Sequence, residues 1–107
     1  MQRFGQLIRL KPEMQQKYFD LHANIWPAVS KTITECNIQN YSIYYHDGML
    51  FSYYEYVGDD YEADMEKMAQ DPATQDWWDV CKPCQTPLPE RAEGEWWLTM
   101  TECFHQD

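Results

Sequence analysis

Residues 18–27 read YFDLHANIWP, and Tyr18, His22 and Trp26 recur at i, i+4 and i+8, so on a helix they lie one above another. Each pairs a flat apolar body with a polar tip. His22 therefore has two readings: a core-edge histidine hydrogen-bonded by a tyrosine, or a functional imidazole beside an aromatic pocket. An imidazole titrates near neutral pH, so the chemistry it offers is general acid and base catalysis. The other two histidines promise less, because His46 falls in a turn and His105 near the C-terminus. Other chemistries find little footing. The serines and threonines lack a GxSxG elbow, and four glycines are too few for a phosphate-cradling loop.

The four cysteines include the stretch CKPC at 81–84. A redox CxxC opens a helix directly after a strand, whereas this one follows the helical stretch TQDWWDV. A zinc site would need two further ligands from Cys36, Cys103, His46 or His105, with no second paired motif. Reduced, structural thiols are the expectation, with no metal and no cofactor.

The 107 residues fit one domain spanning 1–107. A formal net charge of −10 with eight Lys and Arg argues against nucleic acid, anionic membrane surfaces and phosphorylated substrates. No apolar run approaches a membrane span and the N-terminus has no signal pattern, so a cytoplasmic protein is expected. Eight Tyr and five Trp against four Phe give most rings a hydrogen-bonding edge, which suits a core or a pocket for a ligand both polar and ringed.

The elements that must hold these residues follow from pattern. RFGQLIRL alternates, with Phe4, Gln6, Ile8 and Leu10 on one face, and reads as a strand. Pro12 opens a helix predicted to run to about Trp26, its core face formed by Met14, Tyr18, Leu21 and Ile25. Pro27 kinks or restarts it, and Val29, Ile33 and Cys36 carry a helical stripe to Asn37. NYSIYY, the turn HDG and MLFSYYEYV form a hairpin. Asp59 or Asp60 caps YEADMEKMAQ, and Asp71 caps PATQDWWDVCK. QTPLPERAEGE reads as a loop and WWLTMTECF as the last strand.

The order β, α, β, β, α, β predicts a ferredoxin-like α+β sandwich. Several strands are apolar on both faces, so the face without helices needs a cover, and a second copy of the same sheet supplies it. A homodimer is expected.

HANIWP at 22–27, NYSIY at 40–44, FSYYEY at 51–56 and the WW pair at 77 and 78, in that order and spacing, resemble the L-rhamnose mutarotases over nearly the whole chain. The resemblance implies a dimeric α/β barrel of ferredoxin-like protomers and an enzyme that interconverts sugar anomers without a cofactor. It places the proton donor on His22 and the substrate contacts on Tyr18, Tyr41, Trp77 and Trp78. Residue patterns alone leave Trp77 on a core stripe with Ala73, Val80 and Cys84, and Tyr41 on a strand face with Ile43 and Tyr45. Glu55 and Glu102 are candidates for a second proton-transfer group. The segment CKPCQTPLPERAEGEWW is distinctive, which leaves L-fucose or another aldose open as substrate. A non-catalytic sugar-binding module is the alternative, and a small monooxygenase on the same architecture is supported by fold analogy alone.

Overall fold

The computed structural model describes residues 1–107. Strand β1 is Gln2–Leu10, followed by a 3-10 turn at Pro12–Met14 and helices α1 at Gln15–Ala23 and α2 at Pro27–Glu35. The hairpin β2 (Ile38–His46) and β3 (Met49–Tyr56) leads to α3 (Tyr61–Gln70) and α4 (Pro72–Cys81). A second 3-10 turn at Lys82–Cys84 precedes β4 (Gln85–Thr86), and β5 is Leu98–Met100. The result is an α+β fold with one open antiparallel sheet and four helices, in the order β2, β3, β1, with β4 and β5 both on the far edge of β1.

Prolines explain why each expected helical region is two helices. Pro27 and Pro72 occupy first-turn positions, where a missing N–H costs little, and the residue before each is extended. Asp60 caps α3 by accepting from the Ala63 N–H, and Asp71 caps α4 by accepting from the N–H and hydroxyl of Thr74. The turn after β2 carries Asp47 and Gly48 at φ 48° and 80°, the left-handed pair that a tight hairpin requires.

Three expectations change. The first helix ends at Ala23, so Trp26 sits at the N-cap of α2, and Ile25 is exposed rather than on the core face. The predicted loop after Cys84 contains β4, which pairs Gln85 with Leu10. The last strand shrinks to three residues, because β1 shares that edge between β4 at Arg9–Leu10 and β5 at Gly5–Leu7.

The sheet's inner face meets the helices. Ile8, Leu10 and Leu50 pack there with Tyr18, Val29, Trp77, Cys81 and Cys84 into the main core. A second cluster joins Ile38, Tyr54 and Tyr56 to Phe4, Met65 and Met68. Burial of these side chains is the main favourable term for a chain this size, about 1.5–3 kcal/mol for each large apolar group.

Candidate active site

Tyr18, the single buried residue of α1, ties the site together. Its ring stacks on His22 with centroids 4.1 Å apart, and its backbone carbonyl lies 2.8 Å from His22 Nδ1. A carbonyl oxygen only accepts, so Nδ1 carries the hydrogen and Nε2 is the free nitrogen. Burial lowers the His22 pKa from its ordinary value, partly offset by the Tyr18 carbonyl. At neutral pH this side chain is mostly an uncharged imidazole with its lone pair at Nε2.

Helix α4 supplies the opposite wall. Trp77 meets His22 edge-on at 5.1 Å and Trp26 edge-on at 5.1 Å, so Trp26 stays in the aromatic group although it has left the helix. Trp77 is 6% exposed and belongs to the core, in keeping with the stripe it shares with Val80 and Cys84. Trp78 is half-buried and makes no ring contact with this group. Its face receives the Lys82 ammonium at 5.0 Å, which also lies 5.4 Å from the Trp96 ring.

Tyr41 arrives from the sheet by way of a bulge. Gln39 pairs with Glu55 and Ser42 with Tyr53, so Asn40 and Tyr41 together oppose Tyr54. Asn40 takes a left-handed φ of 50°, and the extra residue reverses the alternation, so that both Ile38 and Tyr41 face inward. The Tyr41 ring lies 5.5 Å from Tyr54. Although 43% of the residue is exposed, partial burial first, then the nearby Cys81 thiol, pushes its pKa up to about 12. Burial, then the Tyr41 and Cys81 groups, raise the Tyr18 phenol well above its usual value.

Two side chains that the sequence reading passed over complete the group. Gln85, on β4, donates from Nε2 to the Tyr18 hydroxyl at 3.0 Å and accepts at Oε1 from the Trp96 indole at 2.7 Å. Gln85 lay in the predicted loop, and nothing local marks it. Ser52 also faces inward, buried, with no hydrogen-bond partner for its Oγ.

Glu55 and Glu102 do not reach His22. Alternation puts Glu55 on the outer sheet face, where it accepts from Tyr53 and Asn40, each at 2.7 Å, while Glu102 pairs with Arg3 at 2.8 Å. Hydrogen bonds from these donors hold both carboxyls below the usual range, as anions tied to outer-face partners. No three His, Cys, Asp or Glu side chains cluster as a metal site would require. Cys36, Cys81, Cys84 and Cys103 are all free thiols, and burial first, then the Cys84 thiol, pushes Cys81 up to about 12, which leaves it protonated. No helix is long and apolar enough to cross a membrane.

The arrangement thus combines a free imidazole nitrogen, phenols that donate and indole faces, a set suited to a neutral hydroxylated ring. Comparison with known proteins points the same way. The L-rhamnose mutarotase of Lactiplantibacillus plantarum is 31% identical over 109 residues covering all of both chains, and that of Phocaeicola vulgatus is 29% identical over 92% of this chain and 91% of its own. The crystal structure of an L-rhamnose mutarotase from Formosa agariphila superimposes with a TM-score of 0.78 at 19% identity over the full length of both chains. Residues 3–106 match the family model described as L-rhamnose mutarotase, and the chain belongs to that family.

Proposed function

We propose that this chain interconverts the α and β anomers of L-rhamnose, with His22 moving the proton and Tyr18, Tyr41, Trp77 and Trp78 contacting the sugar. The observation that carries the reading is the bond from His22 Nδ1 to the Tyr18 carbonyl, which leaves Nε2 as the reactive nitrogen. Mutarotation needs the anomeric hydroxyl to lose a proton and the ring oxygen to gain one as the ring C–O bond breaks, a half-turn of the freed aldehyde, and the reverse steps on the other face. Neutral His22 accepts the hydroxyl proton at Nε2. Once charged it is the proton donor, returning that proton when the ring closes. Indole faces favour the C–H side of a pyranose, and phenols its hydroxyl rim.

This order of events fixes the pH dependence. The acceptor form is present above the His22 pKa, which burial holds below 6.5, so the rate should be level through neutral pH and fall in more acid solution. Stability carries the same sign: the depressed value means His22 contributes stability above its unfolded pKa, lost as pH falls through the folded one. Anomer exchange measured on L-rhamnose between pH 5 and 8 checks this, and an acid-side inflection above pH 7 would contradict it.

A homodimer and a cytoplasmic location belong to the same proposal. The strand order, with β4 and β5 together as a broken fourth strand, is consistent with a ferredoxin-like protomer. Its outer face presents Tyr44, Phe51, Leu7 and Leu98 in one cross-strand row, with Tyr44 66% and Phe51 40% exposed. So continuous an apolar row on an uncovered sheet favours a second sheet against it, giving the dimeric barrel. Light scattering should give twice 12.9 kDa, and Phe51→Glu, which buries a charge at the seam, should give monomers. A wild-type monomer at micromolar concentration would remove the basis of this part.

A further inference from the structure

We infer that Gln85 and Trp96 together are positioning residues that aim the Tyr18 hydroxyl proton at the ring oxygen of the sugar. The inference rests on the mutarotase reading above. An indole N–H only donates, so the Gln85 atom 2.7 Å from Trp96 Nε1 is the amide oxygen. The amide nitrogen is then the atom 3.0 Å from the Tyr18 hydroxyl oxygen, and an amide nitrogen also only donates. Tyr18 must therefore accept from Gln85, and its own proton points elsewhere.

Where that proton points is what matters. Tyr18 is 3% exposed and Gln85 6%, so water does not scramble this pair freely. Among the protein's hydrogen bonds no acceptor takes the Tyr18 proton. The same tyrosine stacks on His22 and, through its carbonyl, fixes the imidazole tautomer. One residue thus carries a donor, its own hydroxyl, and stacks its ring on the imidazole whose free acceptor is Nε2. Opening the hemiacetal needs that pair: the anomeric O–H proton goes to Nε2, the C1–O5 bond breaks as C1=O forms, and O5 takes the proton from the Tyr18 oxygen. Closure on the other face returns both protons. No further reactant is required, and the Gln85 N–H stabilises the negative charge that develops on the Tyr18 oxygen.

The chain builds the clamp from two otherwise unremarkable elements. Pairing of Gln85 with Leu10 in β4 fixes the amide's backbone, and the bond from the Lys11 N–H to the Cys84 carbonyl at 2.9 Å holds the turn before it. Trp96 approaches from the chain between β4 and β5, and Lys82 lies over its ring.

The test is Gln85→Glu, which keeps shape and the Trp96 bond but places a carboxylate oxygen against Tyr18, so that Tyr18 must donate to it. Anomer exchange on L-rhamnose should fall about 10²-fold in kcat with KM changed less than about tenfold. Protonating the introduced carboxyl restores a donor, so the ratio of variant to wild-type kcat should rise at least about tenfold between pH 8 and pH 5. A residue that merely fills space would give a ratio near one that is flat with pH, and that result would overturn the inference while wild-type activity upheld the reading beneath it. Inactive wild-type protein would instead overturn the reading itself. Should the variant not fold, Trp96→Phe carries the same test, since it frees the amide to flip: kcat should fall about tenfold with KM within about threefold, and an unchanged kcat would refute the clamp.

Discussion

His22→Ala is expected to slow anomer exchange by about 10² or more, the lower range for losing a proton-transfer group, while the protein stays folded and binds sugar. Fold is spared because His22 is only half-buried and the Tyr18 carbonyl keeps its place in the helix. Binding is spared because indole and phenol contacts do not need the imidazole. His22→Gln should be nearly as slow, since an amide hydrogen-bonds but does not take up a proton at neutral pH. Titrating Trp fluorescence with L-rhamnose separates binding from turnover. Wild-type exchange in both variants would reduce His22 to a core-edge histidine.

The second large effect is expected on stability, and it divides the two adjacent tryptophans. Trp77→Ala removes a buried indole packed against both His22 and Trp26, at a cost of about 3–5 kcal/mol. Against a typical total of about 5–15 kcal/mol, that is enough to lower the melting temperature steeply or leave little folded protein. Trp78→Ala, half-buried and beside Lys82, should melt close to wild type and raise KM instead. Melting curves and kinetics on the two variants check the division; equal loss of stability in both would refute it.

Why some features were legible in the chain and others were not has a physical basis. Alternation in RFGQLIRL, the DG turn and the two aspartate caps are signals within a few residues, and all three appear where the sequence places them. Tyr18, His22 and Trp77 come together because helical spacing and core burial fix them. The bulge at Asn40 escaped notice: periodicity sees Tyr41 in line with Ile43 and Tyr45 but not the reversal that also turns Ile38 inward. Gln85 was invisible for a different reason. Its role depends on a partner 67 residues away and an indole 11 residues away, and no local pattern encodes either contact. Glu55 and Glu102 attracted attention as carboxylates in apolar strands, yet the apolar neighbours of Glu55, Tyr54 and Tyr56, face inward, while the two carboxylates meet Tyr53 and Arg3 on the outer face.

Magnetisation exchange between the α and β anomeric protons of L-rhamnose, recorded by NMR with and without the protein at neutral pH, is the most direct measurement. Catalytic amounts of wild-type protein should speed exchange well beyond the spontaneous rate, and the His22→Ala variant should return it close to that rate. Sugar binding with no change in the exchange rate would contradict mutarotase activity and leave a non-catalytic sugar-binding protein.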